Sequence, residues 1–297
     1  MYDQITSNKN KTYILFFCFF VFMIGIAWLI SYAYDLSWLL PVAVIVTVVQ
    51  ALTSYYYSDQ IALAVSGAKL IKKAEIPELY RMVENLSITA GLSMPRVYLI
   101  PDTAINAFAT GRDPKHAAIA VTKGALEQLE NEELEGVLAH ELSHIGNYDI
   151  RVSTIAVVLV GVIALVSDLF LRHVFWFGSG RERENNSSSG QLQTFLMIVA
   201  LVLAILAPLI AQLIQLAVSR KREYLADASG VLLTRYPEGL AKALEKIGAD
   251  HEPLEVANKA TAHLYIANPL KDHKGKINSL FSTHPPLEDR IRILREM

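Results

Sequence analysis

Between Thr12 and Tyr34 the chain reads TYILFFCFFVFMIGIAWLISYAY without a charge, and after Asp35 alone it continues uncharged from Leu36 to Ser58. A helix needs about 20 apolar residues to cross a bilayer. Residues 12–34 and 36–58 are therefore expected to be transmembrane helices. A cleaved signal peptide is the competing reading of the first run, but the apolar stretch exceeds the usual length of about 7–15 residues and lacks a convincing small-residue cleavage site. A third run, Val152 to Ser167, has 16 uncharged residues and becomes a full span (152–171) only by carrying Asp168. A fourth uncharged stretch runs from Asn185 to Ser219, its apolar part beginning near Leu192, and gives a span at 192–216 that Pro208 should kink. A buried hairpin in a soluble protein is the competing reading of these last two runs.

The same excess shows in the composition: 53% hydrophobic and 19% charged residues, beyond the norm for a soluble domain. A net charge of -2 provides no global basic field, so nucleic acid is not an expected partner, whereas the lipid bilayer is. Cys18, the one cysteine, lies inside the first run; this excludes a disulfide framework and a cysteine-based zinc site.

Lys and Arg in short loops mark the cytoplasmic side of a membrane. Lys9 and Lys11 precede the first run, Lys69, Lys72 and Lys73 follow the second, Arg151 precedes the third, and Arg220, Lys221 and Arg222 follow the fourth. The loop between runs three and four has Arg172, Arg181 and Arg183, but also Glu182 and Glu184. The balance places both termini, residues 59–151 and residues 220–297 in the cytoplasm, and GSGRERENNSSSGQ in a loop on the far side. The two polar pieces then share one face of the membrane and can share one site.

Within these pieces, Ile61–Lys73 and Pro77–Ala90 are expected to be helical, and RVYLI (Arg96–Ile100) a strand. NAFAT (Asn106–Thr110) and HAAIAV (His116–Val121), joined by GRDPK, suggest an antiparallel pair. Asn131 is the expected N-cap of a helix running through Leu134, Val137, Leu138, Leu142 and Ile145 and ending at Gly146 or Asn147. The expected architecture is mostly α with a small β-sheet: four transmembrane helices plus a polar part made of the two cytoplasmic pieces.

That helix carries HELSH at residues 140–144. Residues four apart share a helix face, so His140 and His144 can offer two imidazole nitrogens to one ion. Glu141 points about 100° away and stays beside the ion. A catalytic zinc keeps three protein ligands and an open position for water. In such a site Glu141 takes the proton of the activated water and passes it to the leaving nitrogen of a peptide bond. A metzincin would need glycine where Asn147 stands and histidine at Ile150, so that class is excluded. After the fourth run, SRKREYLADASG places Glu223 and Asp227 four apart. Glu223 can be the third ligand and Asp227 can bond the far nitrogen of a ligand histidine. On spacing alone, Glu223 can equally balance Arg220, Lys221 and Arg222 on a solvated surface.

LAHELSHIGNYD, SRKREYLADASG, INAFATGR and FSTHPPLEDRI together resemble the HtpX family of membrane-bound zinc metalloproteases, gluzincin-like enzymes to which the CAAX prenyl protease is a distant relative. The resemblance covers nearly the whole chain and implies that the polar part is a zincin-like metalloprotease domain beside the four transmembrane helices. It implies one Zn2+ per chain, held by His140, His144 and Glu223, with Glu141 as the catalytic acid/base. It further implies polypeptide substrates, a multi-pass place in the bacterial inner membrane, and a role with quality-control partners there under stress. The four-run topology accounts for a ligand 79 residues beyond His144: the chain leaves through the membrane and returns to the same face. Two stretches stay open. Asn106, Ala107 and Phe108 are either a strand edge that binds extended substrate or a buried core strand. His284 either donates to the oxyanion of the reacting carbonyl or caps the helix that begins at Pro285 or Pro286. A prenyl-type protease with an intramembrane chamber and a zinc-stabilised scaffold or chaperone without turnover are the competing functions.

Overall fold

The structure is a computed structural model that describes residues 2–35, 37–156, 158–159, 220–250, 252, 254, 264–267 and 285–297. Helices predominate, around one small mixed sheet. The first two uncharged runs form helices α1 (Tyr2–Tyr34) and α2 (Leu39–Val65), packed on each other. Both are long and apolar enough to cross a membrane, α1 through Thr6–Trp28. Tyr13, Phe17, Val21 and Trp28 on α1, and Ile45, Val49 and Leu52 on α2, lie exposed. So much uncovered apolar surface is what a helix presents to lipid. The third run starts as helix at residues 149–156 and 158–159; its remainder and the fourth run lie outside the described residues.

One expectation fails just beyond α2. Ile61–Lys73 is not one helix: α2 stops at Val65, and Gly67 takes a positive φ of 62° that suits glycine. Lys69–Leu70 then forms a short strand, β1, pairing antiparallel with Leu99 and Tyr98. The helical pattern on the sequence could not show this edge pairing, because its partner lies about 30 residues away. Helix α3 (Pro77–Thr89) begins at its proline as expected. The strands β2 (Arg96–Ile100), β3 (Ala107–Gly111) and β4 (Ala117–Thr122) give the sheet order β1-β2-β4-β3. The expected antiparallel pair exists: Ala107 opposes Val121 and Gly111 opposes Ala117. β2 and β4 run parallel, and α4 (Lys123–Gln128) follows.

Helix α5 (Asn131–Gly146) runs through the centre of the core, between β3 and the helices α6 (Arg220–Thr234) and α7 (Pro237–Ala249). Its N-cap is Glu130, not Asn131, and the Glu133 carboxylate accepts the Glu130 N–H at 2.9 Å. The acid three residues on closes a capping box that the asparagine one place later cannot make. Leu134, Val137, Leu138, Leu142 and Ile145 are all buried, with Leu240, Ala241, Leu244 and Ile247 of α7 in the same core. The C-terminal helix α8 (Leu287–Arg295) packs on α7.

Two glycines bring α5 against its neighbours. A Cβ on Gly136 would lie 2.7 Å from the Leu240 nitrogen, and one on Gly230 of α6 would lie 3.0 Å from the His140 nitrogen. Gly136→Ala is therefore expected to destabilise the protein by about 1–3 kcal/mol, the usual cost of overpacking. Gly146→Ala, whose Cβ would meet nothing nearer than a Leu92 methyl at 3.7 Å, is the control. Thermal unfolding of the two variants checks it, and equal midpoints would refute the close approach.

Candidate metal centre

One turn of α5 separates His140 from His144, and α6 brings Glu223 across from them. The two histidine Nε2 atoms are 3.1 Å apart. A Glu223 oxygen lies 3.8 Å from the first and another lies 3.6 Å from the second. His140 and Glu223 are buried and His144 is nearly so. The Glu223 carboxylate also faces Arg290 Nη1 at 3.7 Å, and Arg222 turns instead to Asp149 at 3.0 Å. Glu223 thus points into the protein, not onto a solvated surface.

Each histidine is backed by a carboxylate. His140 Nδ1 lies 2.8 Å from Asp227 Oδ1, and His144 Nδ1 lies 2.9 Å from Asp149 Oδ2. With Nδ1–H donating to an acid, the lone pair of each ring sits on Nε2. Two such lone pairs facing one another and a third carboxylate repel unless a cation joins them. An ion bonded tetrahedrally at about 2.0–2.1 Å spaces its ligand atoms about 3.3–3.4 Å apart. The distances here bracket that value, so the residues fit a metal ion.

The acids behind the ligands are themselves held. Arg290 of α8, fully buried, forks onto Asp227: Nη2 donates to Oδ1 at 2.6 Å and Nε to Oδ2 at 2.8 Å. Burial opposes ionisation of Asp227, but Arg290 and His140 outweigh it and hold its carboxyl well below the usual range. Glu141, beside the ligands and buried, behaves oppositely. Desolvation pushes its carboxyl up to about 8, although the charge of His144 and the N–H of Ala109 on β3 favour ionisation. For His144, burial disfavours the charged ring, yet the Asp149 bond and the charges of Glu223, Asp149 and Glu141 raise it to about 9. A cation entering the site competes with that proton.

The sequence profile of peptidase family M48 matches residues 73–297. The chain belongs to this family. The M48 chain is 48% identical over 297 residues to a Protease HtpX homolog of Tropheryma whipplei (strain Twist), covering 100% of this chain and 98% of that protein. A Protease HtpX homolog of Dictyoglomus thermophilum is 46% identical over 300 residues, covering 100% and 94%. Among solved structures, the crystal structure of S. mikatae Ste24p matches with a TM-score of 0.50 and 20% identity, over 99% of this chain and 67% of that one. At that identity the likeness shows the fold. This M48 peptidase is a membrane-bound metalloprotease acting on polypeptides with the help of a metal ion.

Of the residues singled out in the sequence, His140, Glu141, His144, Glu223 and Asp227 come together. His284 lies outside the described residues. Asn106, Ala107 and Phe108 are buried, the Ala107 carbonyl accepts the Ile266 N–H at 3.1 Å, and the Asn106 side chain donates to the Ala267 carbonyl at 3.4 Å. The strand edge at these residues is thus occupied by the chain's own 264–267 stretch, and Ala109 is the β3 residue whose N–H reaches the site. Sequence reasoning missed Asp149 and Arg290. Asp149 is five residues from His144, off the helical spacing, and comes close only because the chain reverses at Tyr148 (φ 61°). Arg290 is 63 residues from Asp227, with no local signal.

Proposed function

We propose that this M48 peptidase is a zinc endopeptidase of the bacterial inner membrane that cleaves membrane or misfolded proteins, with its active site and both termini in the cytoplasm. The observation that carries the reading is the convergence of two histidine Nε2 atoms and the Glu223 carboxylate beside the buried Glu141. A two-nitrogen, one-carboxylate set suits zinc, and three protein ligands leave a position open for chemistry. His140, His144 and Glu223 would hold the ion, while Asp227 and Asp149 would fix the imidazole tautomers.

When bound, zinc supplies a Lewis acid that polarises the scissile carbonyl and acidifies the attacking water. Glu141 takes the water's proton and returns it to the leaving nitrogen, which needs a carboxyl that accepts and releases a proton near neutrality. Its burial, which favours the protonated acid, suits the second half of that task. The Ala109 N–H holds the carboxylate from the side of β3, where an extended substrate strand would run alongside the site. His284 is kept as a candidate oxyanion donor. The test is cleavage of an unfolded polypeptide by the purified protein: a chelator should abolish it and zinc should restore it. Cleavage that survives complete metal removal would overturn the reading.

Four transmembrane helices, at 12–34, 36–58, 152–171 and 192–216, with 59–151 and 220–297 on the cytoplasmic side, complete the proposal. Its support is the apolar character of α1 and α2 and the Lys/Arg bias of the flanking segments. A reporter fused after Met297 is expected on the cytoplasmic side and one inserted beside Ser188 on the opposite side. Both on one side would mean that the third and fourth runs do not cross.

A further inference from the structure

The α1 residues ahead of the first apolar run reach the metal centre. Asn8 is 2% exposed, and its side-chain amide donates to Asp149 Oδ1 at 2.7 Å and to the Asn147 carbonyl at 2.9 Å. Asp149 gives its other oxygen to His144 Nδ1 and also receives Arg222 at 3.0 Å. The turn so clamped is strained: Tyr148, between the two residues that Asn8 grips, has a left-handed φ of 61°, uncommon for a bulky side chain. Its ring is flanked by Lys9 Nζ at 5.5 Å and by the Arg151 guanidinium at 5.1 Å. Asn8 is itself fixed from below, because Leu15 and Phe19 of α1 are buried against Val152, Ile155, Ala156 and Leu159. The backing of His140 comes instead from α6 and α8, through Asp227 and Arg290.

We infer that Asn8 is a positioning residue for the metal centre, and that α1 holds His144 in its ligating orientation through Asn8 and Asp149. The first membrane helix is then an arm of the active site as well as an anchor. The amide has two N–H groups and the turn offers two acceptors, so one side chain sets both the Asp149 carboxylate and the strained backbone that carries it. Without the amide, Asp149 keeps Arg222 but is free to swing away from His144 Nδ1, and the ring loses its fixed tautomer. Asn8→Asp removes both N–H donors and places a second carboxylate against Asp149, so its effect should exceed that of Asn8→Ala.

The inference rests on His144 being a metal ligand, and the test separates the two claims. Full-length wild type, Asn8→Ala, Asn8→Asp, Lys9→Ala and His144→Ala are stripped of metal and titrated with zinc against a chromophoric chelator. Cobalt spectra and melting of the metal-free proteins are recorded alongside. Asn8→Ala is expected to bind zinc about 10-fold more weakly, at the lower end of the 10–100-fold typical when a ligand's support is removed. Asn8→Asp should be weaker still, with an altered cobalt spectrum in both, any fall in metal-free melting too small to account for the lost affinity, and Lys9→Ala, which loses only the contact to the Tyr148 ring, weakened less than Asn8→Ala. Asn8→Ser, too short to reach both acceptors, gives the same reading if Asn8→Ala does not accumulate. Wild-type affinity in the Asn8 variants with weak binding by His144→Ala would overturn this inference alone. Wild-type affinity in His144→Ala would overturn the metal site with it. A loss in the Asn8 variants matched by equal loss of metal-free stability, with an unchanged cobalt spectrum, would reduce Asn8 to a structural residue and also overturn it.

Discussion

Glu141→Gln is expected to lower turnover by about 10²–10⁴-fold, the share a positioned acid–base group contributes, while the protein still binds about one zinc. Glu141 is buried next to His140 on α5, and its carboxylate accepts the Ala109 N–H. Glutamine keeps the shape and the packing of the carboxyl but can neither take nor return a proton. KM should change little, because the substitution removes an interaction made in the transition state. Peptide cleavage and metal analysis on the same preparation check both halves. A Glu141→Gln protein that is empty of metal would show that the glutamate serves the ion and not the water.

The second large effect is on metal affinity. Glu223→Ala leaves two histidines and water around the ion and should weaken zinc binding well beyond the 10–100-fold expected of Asp227→Ala, which only loosens the backing of His140. The affinities should therefore fall in the order wild type, Asp227→Ala, Glu223→Ala. Had Glu223 been a surface partner of the neighbouring bases, its loss would alter stability by about 0–1 kcal/mol and spare the metal. Its burial and its distances of 3.6 and 3.8 Å to the histidines argue for the first outcome. A zinc titration in which Glu223→Ala matches wild type would refute its role.

Much of the site could be read in the chain because its chemistry is local. His140, Glu141 and His144 lie on one turn, and a helix period places them without knowledge of the fold. Glu223 and Asp227 share the same logic on α6, but their meeting with α5 is a tertiary fact that spacing left open. β2 matched its expected bounds because prolines flank an alternating run, whereas β1 was hidden inside a helical pattern and became a strand by pairing with β2. Asp149, Arg290 and Asn8 were beyond reach for one physical reason. Each acts through a side chain brought in by a reversal or by a distant helix, and no period in the sequence records such a meeting. The strand residues Asn106–Phe108 illustrate the converse: their apolar pattern fits an edge or a core equally, and only the tertiary structure shows that they lie buried with Ile266 and Ala267 bonded to them.

The most direct measurement is an anomalous difference map at the zinc edge from crystals of the purified protein. One peak is expected within about 2.0–2.2 Å of His140 Nε2, His144 Nε2 and a Glu223 oxygen, with Glu141 beside it and not bonded. Zinc held by other residues, or bonded to Glu141 in place of Glu223, would contradict it.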